Sequence, residues 1–436
     1  MTIRTRFWFL AALRWLPTGL VVPVVALLPL ERGLSVAEMG AAFALQGVVV
    51  LCLELPTGAL TDVLGRRPVF VASAVAAVGS YTAFALAHSV GAYMAAAGLA
   101  GLYRALDSGP LNAWFVDSVH DDETITDRTA TVAKGLSGHA SVVGASIATG
   151  AVLSGLLVAW APLDGVESLA LPYWIAAGLA VVQVVAALLL MDESRADRPA
   201  SLRHAIGQSP RMIGDGVRLL RSSRVLRALV AVELFWGFGI IAFETLTPVR
   251  LGELLGDRDE AASIMGPVTA AAWAFSALGV AAVPLLLRRW SMVQVSVALR
   301  LLQGSTVVCM GLAMGPVGLI GGLIATYALH SASAAVFETL LHEQVDNTHR
   351  ATVLSLASML LHPGASLGGV TLGAIATSAS TGSAMIVGGV VLAAAAPLFL
   401  VKARHGSRAA GRDAPPMLGR DDGAPAVRDG VEAIDE

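Results

Sequence analysis

The sequence predicts an all-α membrane protein with twelve transmembrane helices, arranged as two six-helix bundles that repeat one another in parallel. Composition is the first sign: of 436 residues, 56% are hydrophobic and only 14% charged, against roughly a quarter charged in soluble domains. The second is length, because apolar runs long enough to cross about 30 Å of hydrocarbon recur along most of the chain. In lipid such runs must satisfy their own backbone groups and are therefore helical; the short alternating segments of a membrane barrel do not dominate. The third is self-similarity. A shift of 222 residues lays Arg66 and Arg67 on Arg288 and Arg289, Phe115 on Phe337, and Arg128 on Arg350.

The spans fall at 7–30, 36–61, 68–88, 90–116, 130–160, 169–191, 227–251, 262–287, 291–314, 316–341, 351–378 and 382–402. The first begins MTIRTRFWFLAALRWL. Its apolar stretch runs on too long and lacks a small-residue cleavage site, so it reads as a helix and not a signal peptide. The one long polar interruption, 192–226, separates a bundle at 1–191 from a second at 227–403. Six spans per half give both halves the same orientation, a parallel repeat about an axis along the membrane normal. Within the interruption, Ser201 to Arg227 is either an amphipathic segment for anionic headgroups or a solvated tether. The tail, 404–436, is rich in Gly, Ala, Arg and Asp without periodicity and is expected to be disordered.

Positive charge sets orientation. Arg4, Arg6, Arg66, Arg67, eight arginines from Arg195 to Arg227, Arg288, Arg289 and Arg350 fall on one side, and only Arg32, Arg250 and Arg258 on the other. Both termini are thereby expected in the cytoplasm. Cys52 and Cys309 lie inside apolar runs, where they read as small packing residues. The bias to Arg over Lys, with much Ala and Gly, suggests a high-GC bacterial genome and hence the cytoplasmic membrane.

The stretch LELPTGALTDVLGRRP, residues 53–68, concentrates charge between the second and third spans. Pro68 suits a first helical turn, and Gly58 permits close approach of another helix. Asp62 stands at the unfavourable end of the helix dipole and needs a partner. GALTDVLGRRP resembles the loop signature between helices 2 and 3 of the major facilitator superfamily, with Gly58, Leu60, Asp62, Gly65, Arg66 and Arg67 in register; Val63 departs from the usual basic residue. With the six-plus-six layout, the resemblance covers residues 1 to about 403. It implies an alternating-access transporter in which Asp62 helps hold the cytoplasmic ends of the two halves together. The preceding Glu54-Leu55-Pro56-Thr57 resembles that of members known only as general or drug-efflux transporters.

Ionisable residues inside the membrane are functional candidates, because each costs about 2.5–3.5 kcal/mol to insert. Arg104 and Asp107, at i,i+3 in GLYRALDSGPLNAWFVD, share a helix face, either as a coupling or binding pair with Asp107 the proton-linked acid or as a structural pair that fixes the fourth span. RALDSG loosely resembles the family's helix 4 motif, whose arginine is linked to proton coupling; that implication extends to Arg104 alone. Glu244 is either a cavity residue or an interfacial acid paired with Arg250. Glu233 is expected to meet arginines of the central loop, Arg14 to pair with Glu54, and Arg300 to snorkel or form a buried pair. His139 and His362, near-equivalents at an offset of 223, suit either proton linkage or packing; His330 and Glu338 are similar cases. The fifth span lacks the family's antiporter motif, although PGASLGG occurs at 363–369.

The expected function is a secondary transporter, functional as a monomer, that moves a small amphipathic or hydrophobic compound in exchange for protons. An uptake symporter, or a receptor or scaffold on the same fold, is the alternative. No HExxH, GxSxG or GxxxxGK[ST] motif occurs, so neither a membrane enzyme nor nucleotide-driven transport is indicated. No cofactor, metal or nucleic-acid partner is expected.

Overall fold

The computed structural model describes the chain except residues 162–164, 193–217, 219, 222, 345–349 and 402–436, and except the side chains of residues 55, 59, 62 and 350–356. The tail and most of the possible amphipathic segment from Ser201 lie outside the described residues. Among these residues the regular structure is helical. In chain order the helices are α1 (Ile3–Val21), α2 (Leu27–Glu31), α3 (Val36–Leu64), α4 (Arg66–Leu86), α5 (Val90–Leu106), α6 (Pro110–Asp121), α7 (Arg128–Trp160) and α8 (Leu171–Leu190). They continue with α9 (Arg224–Ile240), α10 (Leu246–Leu255), α11 (Arg258–Leu287), α12 (Met292–Leu312), α13 (Pro316–Glu343), α14 (Arg350–Ser378) and α15 (Thr381–Ala394).

Twelve crossings result, three of them interrupted where the sequence alone suggested single spans. The first breaks between α1 and α2 at Val22–Ala26, where Pro23 has no N–H to continue the ladder. The fourth divides into α5 and α6 because Gly109 takes a φ of 96° and Pro110 opens the next helix, a left-handed position that favours glycine followed by a preset first turn. In the seventh, a single π turn at Ile241–Thr245 joins α9 to α10. Ten helices among the described residues are long and apolar enough to cross a membrane. α1 carries three arginines and α5 is cut short by its break.

Ends follow local chemistry. α3 and α12 both start at capping boxes, Ser35 with Glu38 and Ser291 with Gln294, each satisfying two otherwise unpaired N–H groups. Gly65 ends α3 and starts α4 with a φ of 99°. The crossings alternate between two faces. The first face carries Thr2, Gly65, Asp122–Asp127 and Arg288–Ser291; the second carries Arg32–Ser35, Ala87–Ser89, Gly256–Asp257 and Ala313–Gly315.

Residues Met1–Val401 form one compact unit. Helices of each half pack chiefly on one another, α1 on α7 and α4 on α8 in the first, α9 on α14 and α12 on α15 in the second. Two helix pairs make most of the contact between the halves, α3 with α14 and α7 with α11, and α2 adds smaller contacts to α10 and α11. Small residues permit both contacts: a Cβ on Gly155 would lie 2.5 Å from the Ser263 carbonyl oxygen, and one on Gly369 would lie 2.9 Å from that of Gly40. At the second face polar groups reinforce the seams. Arg258 pairs with Glu31 at 2.8 Å, Ser168 donates to Asp259 at 2.7 Å, and the Ala37 N–H donates to Thr377 Oγ1 at 3.0 Å.

Candidate functional site

Between the halves lies a cavity of about 360 Å3, walled by α1, α3, α4, α5 and α8 on one side and by α9, its π turn and α14 on the other. Aromatic rings make much of the first wall. Tyr81 meets Tyr103 edge-on with centroids 6.1 Å apart, and Phe84 stacks on Tyr173 at 5.5 Å. Four ionisable side chains reach the cavity: Arg14, Arg104, Glu244 and His362.

Arg14 is saturated. Its side chain is 6% exposed, donates from Nε to Asp107 and from Nη1 to Thr18 Oγ1 at 3.0 Å, and lies over the rings of Trp15 and Tyr103. Asp107 is thus held by Arg14 and does not form the i,i+3 pair with Arg104 that the spacing implied. It caps the C-terminus of α5, its own N–H still donating to the Tyr103 carbonyl, and its carboxylate turns to α1. The expected Arg14–Glu54 pair is likewise replaced. Glu54 Oε2 lies 4.0 Å from His362 Nε2 across the α3–α14 seam and has no hydrogen-bond donor among the described residues.

Arg104 is exposed to the cavity and has no hydrogen-bond or ion-pair partner within contact distance among the described residues. Glu244, also exposed, projects from the π turn and accepts a hydrogen bond from Tyr327 at 3.1 Å. An extra residue in one helical turn re-aims its side chains and commonly marks functional positions. Arg250 lies elsewhere, paired with Glu253 at 3.0 Å, so the cavity alternative for Glu244 fits and the interfacial pair does not.

His139 stacks on Phe7 with centroids 5.0 Å apart and is not part of the central cavity wall. In the loop signature, Arg66 pairs with Asp117 at 3.3 Å and Arg67 donates to the Leu188 carbonyl at 2.5 Å. A Cβ on Gly58 would meet no described atom within 4 Å, and the side chains of α14 from 350 to 356 lie outside the described residues. The side chain of Asp62 lies outside the described residues.

A second cavity, about 270 Å3, lies within the C-terminal half and is lined by Glu233, Arg300, His330 and Glu338. Arg300 is 3% exposed, donates to Gln303 Oε1 at 3.1 Å and faces the Trp236 ring, on which His330 stacks at 4.3 Å. Glu233 therefore faces this cluster, and the central-loop arginines from Arg195 to Arg211 lie outside the described residues. An arginine deep in an apolar helix needs an acid nearby, and that was the available signal for Glu233. The aromatic wall gave no comparable sign.

No curated protein matches the chain in sequence. Solved structures do match its fold. A mutant form of the nucleoside transporter NupG superposes with a TM-score of 0.74 at 12% identity, covering 92% of this chain and 99% of that one. A bacterial homolog of the human lysosomal transporter Spinster, inward-facing and occupied, gives 0.70 at 14% identity over 91% and 95%. The human organic anion transporter MFSD10 (TETRAN) gives 0.60 at 16% identity over 91% and 98%. These likenesses carry the fold alone. The family model described as Major Facilitator Superfamily matches residues 7–329. Twelve crossings, a cavity between two packed halves and a family match over most of its length show that the chain belongs to the major facilitator superfamily.

Proposed function

We propose that this multi-pass transporter moves a small amphipathic compound out across the cytoplasmic membrane by proton-coupled alternating access. One observation carries the reading: a cavity with aromatic walls and sparse charge lies between halves whose close contacts gather at one face. A transporter alternates by loosening one set of seams and tightening the other. The closed seam at Gly155, where the α7 and α11 backbones meet near the second face, supports a state that opens toward the first face. Arginine placement makes that face cytoplasmic. Glu244 and His362 are the proton-accepting groups nearest the substrate path. Asp107, held by Arg14, serves to keep Arg14 neutralised. The same geometry accommodates uptake; exchange against a pH gradient of either sign in proteoliposomes distinguishes the two.

Two-sided labelling of Ala365→Cys, in the α14 wall, tests the transport reading in a background with Cys52 and Cys309 replaced by alanine. An impermeant thiol reagent should reach it from either membrane face, in turn. Labelling from one face under every condition would favour a receptor or scaffold.

Orientation is checked in the same background. Met314→Cys, 95% exposed at the second face, should react in intact cells, and Glu123→Cys at the first face should react only after permeabilisation. The reverse pattern would invert the topology.

Asp62→Asn should slow alternation while leaving ligand affinity within a few-fold, because Asp62 is assigned to the gate and not to the cavity. Loss of binding as severe as the loss of rate would remove it from the gate.

A further inference from the structure

The charges of the central cavity come from opposite halves and are left open. Arg14 is matched by Asp107. His362 has Glu54 beside it. What remains is one guanidinium, Arg104 on α5, and one carboxyl, Glu244 on the π turn after α9. Both are exposed to the same space; the first has no hydrogen-bonded partner among the described residues and the second has only the Tyr327 hydroxyl.

We infer that the cavity binds a zwitterionic aromatic compound, its anionic group on Arg104, its cationic group on Glu244 and its ring against Tyr81 and Phe84. This deepens the transport reading and rests on it. A plain organic anion would be drawn to Arg104 but brought toward the Glu244 carboxylate, and a plain cation would meet the converse. A neutral hydrophobe would leave both charges without partners in a space from which it displaces water, which is unfavourable for each. A molecule carrying both signs satisfies both groups. Arg104 offers a planar fork of donors suited to a carboxylate, and Glu244 retains acceptor capacity beyond the Tyr327 bond. Volume agrees, since about 360 Å3 lies at the lower end of the roughly 300–1,000 Å3 usual for small-molecule pockets. The placement also has a mechanical consequence. Because each half supplies one charge, only a substrate that spans both is held by both, so discrimination and the joining of the halves arise from the same contacts.

The test uses the full chain in lipid nanodiscs with matched probes: phenylalanine, tryptophan and the phenylalanyl-phenylalanine dipeptide, each as the zwitterion, the N-acetyl anion and the methyl-ester cation. Binding is read by calorimetry and by the ligand-dependent rise in melting temperature. At least one zwitterion should bind about tenfold or more tighter than both of its singly charged analogues, the effect of one charge-assisted hydrogen bond. Arg104→Gln should bring that zwitterion level with its ester, and Glu244→Gln should bring it level with its N-acetyl form. Neither variant removes an ion pair, so both should fold, as their melting without ligand will report. Equal binding of a singly charged analogue to the unaltered protein, or no zwitterion binding at all, overturns the inference. Two-sided labelling of Ala365→Cys in the same preparation separates the two levels. Alternation without zwitterion preference leaves the transport reading standing, and absence of alternation removes that reading instead.

Discussion

Replacing Asp107 with asparagine should destabilise the folded protein by about 3–5 kcal/mol, the usual result of removing one partner from a buried ion pair. The reason lies on α1. Arg14 is 6% exposed and donates its Nε to Asp107. Without the carboxylate, its charge would remain in the membrane interior with only Thr18 and two aromatic faces for company. Arg14→Met should be harmful for the converse reason. The double variant Arg14→Met, Asp107→Leu should recover much of the loss, since no charge is left to solvate, and the two single effects should fail to add. Arg104→Gln is the contrast. It removes no partner, so its melting should change by about 0.5 kcal/mol or less, as for substitutions away from packed or paired groups. Thermal melting of the four purified variants in one detergent checks the set. If Arg104→Gln melts as early as Asp107→Asn, the pair that matters is Arg104 with Asp107 at the end of α5 and not the one between α1 and α5.

That contrast marks where the sequence was readable. The twelve crossings were legible because hydrocarbon thickness fixes the length of an apolar run, and the two-half layout because four arginine and phenylalanine matches share one offset. Partners were less secure. Arg104 and Asp107 keep their helical spacing, the Asp107 N–H still bonded to the Tyr103 carbonyl, yet the carboxylate pairs with a different helix. The actual partner, Arg14, stands 93 residues away, and spacing carries no information about a pair between two helices. Glu244 was ambiguous for a similar reason. A π turn shifts every later side chain by one place, and nothing in FGIIAFETLTP announces it. The aromatic wall was least legible, because in an apolar helix a tyrosine facing a cavity and one facing a neighbour have the same sequence surroundings. His139 and His362 show the same difficulty, equivalent in the repeat yet one stacked on Phe7 and the other at the cavity.

Gly155→Leu should hold the second face open and abolish exchange. A Cβ at this position would stand 2.5 Å from the Ser263 carbonyl oxygen and 3.3 Å from the Gly266 Cα. Both are backbone atoms of α11, which cannot turn aside as a flexible side chain would. The α7–α11 seam must therefore separate, taking with it the contacts of Arg258 with Glu31 and of Ser168 with Asp259 nearby. Ala365→Cys should then label from the second face throughout, with no return to first-face labelling. Gly58→Leu should do the opposite. No described atom lies within 4 Å of a Cβ there; closure of the first face would drive the added side chain into the approaching half, and labelling should persist from the first face alone. Each variant is paired with its alanine counterpart. Gly155→Ala should shift labelling in the same direction to a smaller extent, which separates a seam effect from general misfolding. If Gly155→Leu folds, retains exchange and still labels from both faces, the α7–α11 seam is not part of the alternation, and the gate on that face must lie in the α3–α14 contact at Gly40 and Gly369.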